Sequence, residues 1–147
     1  VLLGHSTGAS MALVHAGHHD CAAVVAMAPI VFIEGSNLES IRAARPGKHL
    51  WEVDQAARQV IEAAGYGDYF PHGTSHHLGL HVHDADPDAP LAPGMVITIE
   101  PGVYLPDRKL GIRIEDDVLI TREGMPKVLT AEIPKAAEDV ERAMRRK

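Results

Sequence analysis

The chain has 147 residues, 46% of them hydrophobic, and a formal charge of −6. That length predicts one domain with a core of its own, and an acidic balance without a basic stripe excludes nucleic acid as a main partner. The single cysteine, Cys21, excludes an internal disulfide and a Cys-rich zinc site and fits a cytoplasmic location.

The first residues, 1–13, read as a strand, a sharp turn and a helix. The turn holds a full G-x-S-x-G, Gly4-His5-Ser6-Thr7-Gly8. Small residues on both sides let a serine sit on a strained turn, and residues 1–33 resemble the nucleophile elbow of α/β-hydrolases. That resemblance implies a serine carboxylesterase with Ser6 as nucleophile. It would act on a small ester without any cofactor, with a base among His72, His76 and His83. An incidental tight turn is the alternative. Residues 21–33 then read as the next strand, and their apolar run is too short for a membrane span. No signal or transit peptide is visible. All 14 Lys and Arg lie at Arg42 or later. This shift in composition predicts a seam near Glu34-Gly35-Ser36, with residues 1–35 and 36–147 as separate units.

Ser36-Asn37-Leu38-Glu39 has the pattern of a capping box and predicts a helix start. The helix should stop near Arg45-Pro46-Gly47, because a residue before proline leaves the α region. Leu50, Val53, Ala57, Val60, Ile61 and Ala64 recur at helical steps and predict a second helix ending at Gly65. Trp51 at its start reads as a packing anchor.

The most informative stretch is residues 72–84, HGTSHHLGLHVHD, with five histidines in twelve positions. Simple alternation puts His76, Leu78, Leu80 and Val82 on one face and His83 on the other. Gly79 would permit a bulge that brings His83 round. After a loop over residues 84–93, residues 95–104 and 111–120 read as strands of a hairpin around Pro106-Asp107-Arg108-Lys109. Arg113, Glu115 and Asp117 share one face of the second strand, with Ile112 and Ile114 opposite. An arginine beside a carboxylate favours its ionised form; a plain surface ion-pair face is the alternative. Glu100 and Glu115 sit in apolar strands, where a carboxylate must be paired or bind a cation. Imidazole with carboxylate is a ligand set for Mn, Zn, Co or Fe. Residues 134–147 predict a last helix, acids before bases as its dipole favours.

These three motifs, HGTSHHLGLHVHD, LAPGMVITIEPGVYLP and GIRIEDDVLIT, resemble the carboxyl-terminal half of the aminopeptidase P, prolidase and creatinase family from about residue 38 to the end. The resemblance implies an α/β (α+β) fold, half of a pita-bread, with a curved, mostly antiparallel sheet and two or three helices. It implies metal-dependent hydrolysis next to proline with Mn, Co or Zn. His76, Glu100 and Glu115 would be metal ligands, with Glu100 also acting on the water. His72 and His83 would contact the substrate, and Arg113 would be the active-site arginine. The family draws two further aspartate ligands from its other half. Residues 1–37 hold only Asp20 and Glu34 as acids and match no such pair, so impaired catalysis is expected. A half-domain lacking its cover also predicts a homo-oligomer, and a self-associating, non-catalytic half-domain is the third reading. Neither a membrane nor a nucleic acid is an expected partner.

Overall fold

The computed structural model describes residues 2–3 and 27–145. The elbow at residues 4–8, Ser6 with it, and residues 21–26 of the expected strand lie outside the described residues. Helix α1 spans Met27–Ala43, α2 spans Leu50–Ala63 and α3 spans Ala137–Arg145. The strands are β1 (Leu2–Leu3), β2 (His77–Leu78), β3 (Val96–Ile99), β4 (Gly102–Leu105), β5 (Leu110–Arg113), β6 (Asp116–Leu119) and β7 (Lys127–Val128). One sheet has the order β1-β5-β4 and the other β2-β3-β6-β7. Every pairing is antiparallel except β1 on β5.

Helix α2 carries the expected face, with Val53, Ala57 and Ile61 fully buried. It begins with a box at His49 and Glu52, whose carboxylate accepts the His49 amide at 2.9 Å. Ser36 is not a cap. It lies inside α1, buried, with its hydroxyl donating to Ile33 O at 2.8 Å, the back-bonding that lets serine sit within a helix. The strand expected to end at residue 33 is corrected too: from Met27 onward the chain is helical, since an apolar run alone does not separate a buried strand from a buried helix. Helix α1 continues unbroken through residues 35 and 36, where the composition shifts. Trp51 does not anchor packing. It is 62% exposed and stacks on His49 with ring centroids 6.4 Å apart.

Polar side chains of α1 fix its neighbours. Ser40 donates to Val53 O of α2 at 3.0 Å, and Asn37 donates to Ile99 O of β3 at 3.2 Å. Two apolar clusters fill the space between helices and strands. One joins Ile33, Ala57 and Ile61 to Val103, Leu105, Ile112 and Ile114. The other joins Ala44, Val53 and Leu91 to Ile97, Ile99, Val118 and Ile120. Each fully buried isoleucine contributes on the order of 2–3 kcal/mol.

The two strands expected over residues 95–104 and 111–120 are each interrupted, at Glu100-Pro101 and at Ile114-Glu115. Proline has no amide to donate, so pairing lapses there. Register survives the interruption. Ile99 pairs with Asp116 on one side and Gly102 with Arg113 on the other, and Ile114 N still reaches Pro101 O at 3.4 Å. In that register Glu100 stands directly across from Glu115.

Candidate functional site

Alternation across this bent ribbon sorts the side chains. Ile97, Ile99, Val103, Ile112, Ile114 and Val118 face the helices. Thr98, Glu100, Gly102, Tyr104, Gly111, Arg113, Glu115 and Asp117 have the opposite parity. In β2, His77 pairs with Ile97 and is buried on the helix side, so His76 falls on the outer face with Thr98. There the His76 amide donates to Thr98 Oγ1 at 3.1 Å, and Thr98 Oγ1 donates to Glu100 Oε1 at 3.2 Å.

His76 Nδ1 lies 3.0 Å from His77 O and its Nε2 lies 3.1 Å from Glu100 Oε1. A proton on Nδ1, donated to that carbonyl, leaves the Nε2 lone pair aimed at a carboxylate oxygen. Two electron-rich atoms at this separation require a positive charge between them, a proton or a cation. The other Glu100 oxygen is 3.4 Å from Arg113 Nη1. Glu115, across the ribbon, has its carboxyl pushed up to about 7, first by burial and next by the negative charge of Glu100, while Arg113 and then His76 pull it down and Asp117 adds to the rise.

His83 reaches this face by a route that alternation does not give. The chain turns back after Leu78, with Asp84 N donating to His77 O at 3.1 Å. The Asp84 carboxylate accepts the amides of Leu80 and Ala85 at 3.1 and 2.9 Å. A Cβ on Gly79 would collide with that carboxylate, so a side chain there would displace the group that holds the turn. It brings the His83 ring edge-on to His76, with centroids 4.2 Å apart. Leu80 and Val82, expected to continue the face of His76, are instead 99% and 73% exposed.

His72 lies above Gly102. Its Nε2 is 3.0 Å from the Tyr104 hydroxyl and its Nδ1 is 2.9 Å from Gly73 O. A Cβ on Gly102 would come within 2.9 Å of Tyr104 Oη and 3.2 Å of His72 Nε2, so the small residue makes room for that pair. Tyr104 and Thr98 were missed in the sequence. Their signal was parity with Glu100, visible only once the strands are placed.

Imidazole and carboxylate donors suit a divalent cation, and opposed acids, one with a raised pKa, are a charge arrangement that a cation relieves. Among the described residues no three His, Cys, Asp or Glu side chains close on a single ion; Glu100 pairs with His76 through one oxygen and with Arg113 through the other. Among those residues, too, no helix is long and apolar enough to cross a membrane.

Comparison with known proteins places the chain in a family. A profile of metallopeptidase family M24 matches residues 31–122. A Staphylococcus epidermidis protein known only as an uncharacterized peptidase is 48% identical over 91 residues, 58% of this chain and 26% of its own length. The Xaa-Pro dipeptidase of Bacillus anthracis superposes with a TM-score of 0.67 at 38% identity, over 73% of this chain and 31% of that one. The prolidase of Pyrococcus furiosus gives 0.64 at 42%, over 70% and 32%. The chain thus spans about a quarter to a third of the length of these relatives. Likeness at such identity carries the fold, a mixed α/β part of a pita-bread with largely antiparallel sheets. The match covers more than half the chain and all three motifs, and the chain belongs to metallopeptidase family M24.

Proposed function

We propose that the chain is a ligand-bearing part of a metal-dependent Xaa-Pro peptidase, in which His76, Glu100 and Glu115 hold a divalent cation, Mn, Co or Zn. The observation that carries this reading is the Nε2 of His76 set 3.1 Å from Glu100, with Glu115 across the ribbon. The names of the solved relatives, a dipeptidase for Xaa-Pro and a prolidase, support the substrate class. A cation bound there supplies a water of lowered pKa and polarises the scissile carbonyl.

The remaining roles fall to side chains. Glu100 accepts a proton from the attacking water, and Arg113 and Thr98 hold its carboxylate in place. His83, beside His76, and His72, held by Tyr104, contact the scissile carbonyl and the residue next to proline. Three ligands from this chain hold a cation more weakly than the fuller set of the family, so hydrolysis by these residues alone is slow.

Calorimetry with Mn²⁺, Co²⁺ and Zn²⁺ tests the ligand set. Wild type should bind one equivalent or more, and Glu100→Gln should lose at least tenfold in affinity, the scale on which ligand shells act. Hydrolysis of an Xaa-Pro dipeptide should require added metal, stop with chelator and survive Ser6→Ala. Equal affinity in wild type and Glu100→Gln overturns the site. Chelator-resistant ester hydrolysis lost in Ser6→Ala would establish the serine chemistry in its place.

A further inference from the structure

One polar cluster lies outside the ligand set. Asp54 and Arg58 sit one turn apart on α2, with Arg58 Nε 2.6 Å from Asp54 Oδ2. An exposed pair at this spacing would satisfy only itself. This one directs its other groups at residues 70–74, the segment that carries His72. Arg58 donates through Nη1 to Phe70 O at 3.1 Å and through Nη2 to His72 O at 2.7 Å. Its guanidinium lies 4.4 Å from the centroid of the Phe70 ring, and that ring meets the His72 imidazole edge-on at 5.1 Å. The free oxygen of Asp54, Oδ1, accepts both the amide and the hydroxyl of buried Thr74, at 2.8 and 2.9 Å. Thr74 O in turn accepts the Glu100 amide at 2.7 Å.

The segment has no ladder partners between Phe70 and Gly73, so its carbonyls need others. Both sides of His72 are therefore tied to one rigid helix. We propose that Asp54 and Arg58 are positioning residues for His72: the planar fork fixes the main chain at Phe70 and His72, the carboxylate fixes it at Thr74, and the imidazole is thereby aimed at Tyr104 and the substrate side of the site. Lysine cannot replace the arginine, because an ammonium is a point donor that cannot fork onto two carbonyls while lying flat on a ring. The inference rests on the peptidase reading only for what His72 then contacts.

The test uses Arg58→Lys and Asp54→Asn, with histidine side-chain NMR and His72 assigned through His72→Gln. Both variants should shift the ring signals of His72 while those of His77, buried behind the sheet, stay in place. Manganese affinity should stay within twofold of wild type. Where the wild type hydrolyses an Xaa-Pro dipeptide, kcat should fall about tenfold or more in Arg58→Lys, as expected for a misaimed group. A wild type without peptidase activity sinks the functional reading alone, because the NMR arm still reports the position of His72. A purely structural pair would lower the melting temperature and leave the His72 signals where they were, which overturns the proposal. Should both variants unfold, hydrogen exchange of the wild type decides. A Thr74 amide protected as well as the core of α2 upholds the clamp, and one exchanging at the rate of an exposed loop refutes it.

Discussion

Replacing Glu115 by glutamine should make the metal-free chain less sensitive to pH. Glu115 has a folded pKa of about 7 against an ordinary 4.5. Its folded state therefore holds a proton that the unfolded chain has released between those values. Stability from this group is present below about 4.5 and is lost as pH rises through about 7. A shift of that size corresponds to roughly 3 kcal/mol at 1.36 kcal/mol per unit. Glu115 is only partly buried, and solvent screening reduces the figure to about 1–2 kcal/mol. Urea unfolding of chelator-treated protein at pH 5 and pH 8 measures it. Wild type should lose about 1–2 kcal/mol more than Glu115→Gln between the two. Identical losses would refute both the burial of Glu115 and its place across from Glu100, because neither would then raise its carboxyl.

The same proton competes with a cation, so Zn²⁺ affinity should fall up to about tenfold per pH unit below 7, and calorimetry showing a flat profile would exclude Glu115 as a ligand. Asp116 is 2% exposed and paired with Lys135 at 3.0 Å and Thr130 at 2.6 Å; Lys135→Met leaves that buried carboxylate without its counter-charge and should cost about 3 kcal/mol in urea unfolding, whereas a loss under about 0.5 kcal/mol would mean that the pair does not hold the segment before α3. Leu80 and Val82, exposed together beyond β2, should support self-association. Sedimentation at tens of micromolar should show a dimer or larger species that a Leu80→Ser, Val82→Ser variant shifts toward monomer, and a monomeric wild type would end that expectation.

Much of the candidate site was legible because its residues are of types that apolar strands otherwise avoid. His76, Glu100 and Glu115 stand out against valine and isoleucine, and the parity of Arg113, Glu115 and Asp117 against Ile112 and Ile114 reads directly from the sequence. The hairpin over Pro106–Arg108 was legible too, from its proline and polar residues. What could not be read depends on contacts between distant positions. Residues 27–33 are apolar enough for a strand, and only packing of Ile33 against α2 and β5 shows why a helix suits them. Ser36 looked like a cap, but the helix had already begun. His83 looked misplaced because the turn that returns it is built by the Asp84 side chain, whose partners lie on residues 80 and 85. Arg58 carries no motif at all; its meaning lies in two carbonyls more than ten residues away.

The bend in the ribbon links fold to site. Pro101 removes one amide from the ladder on the β6 side, while the Glu100 amide, like that of Thr98 donating to His76 O, faces the other side and donates to Thr74 O. That bond ties the histidine segment to the acid, and the register persists on both sides of the gap. Because register persists, the two glutamates remain opposed. Because pairing lapses, two separate apolar clusters form beneath them, one for each sheet. A one-residue slip would send Glu100 or Glu115 to the helix side, among isoleucines, where an unpaired carboxylate is costly. The apolar face thus enforces the register, the register places both acids on the outer face, and their mutual repulsion there makes a cation between them favourable.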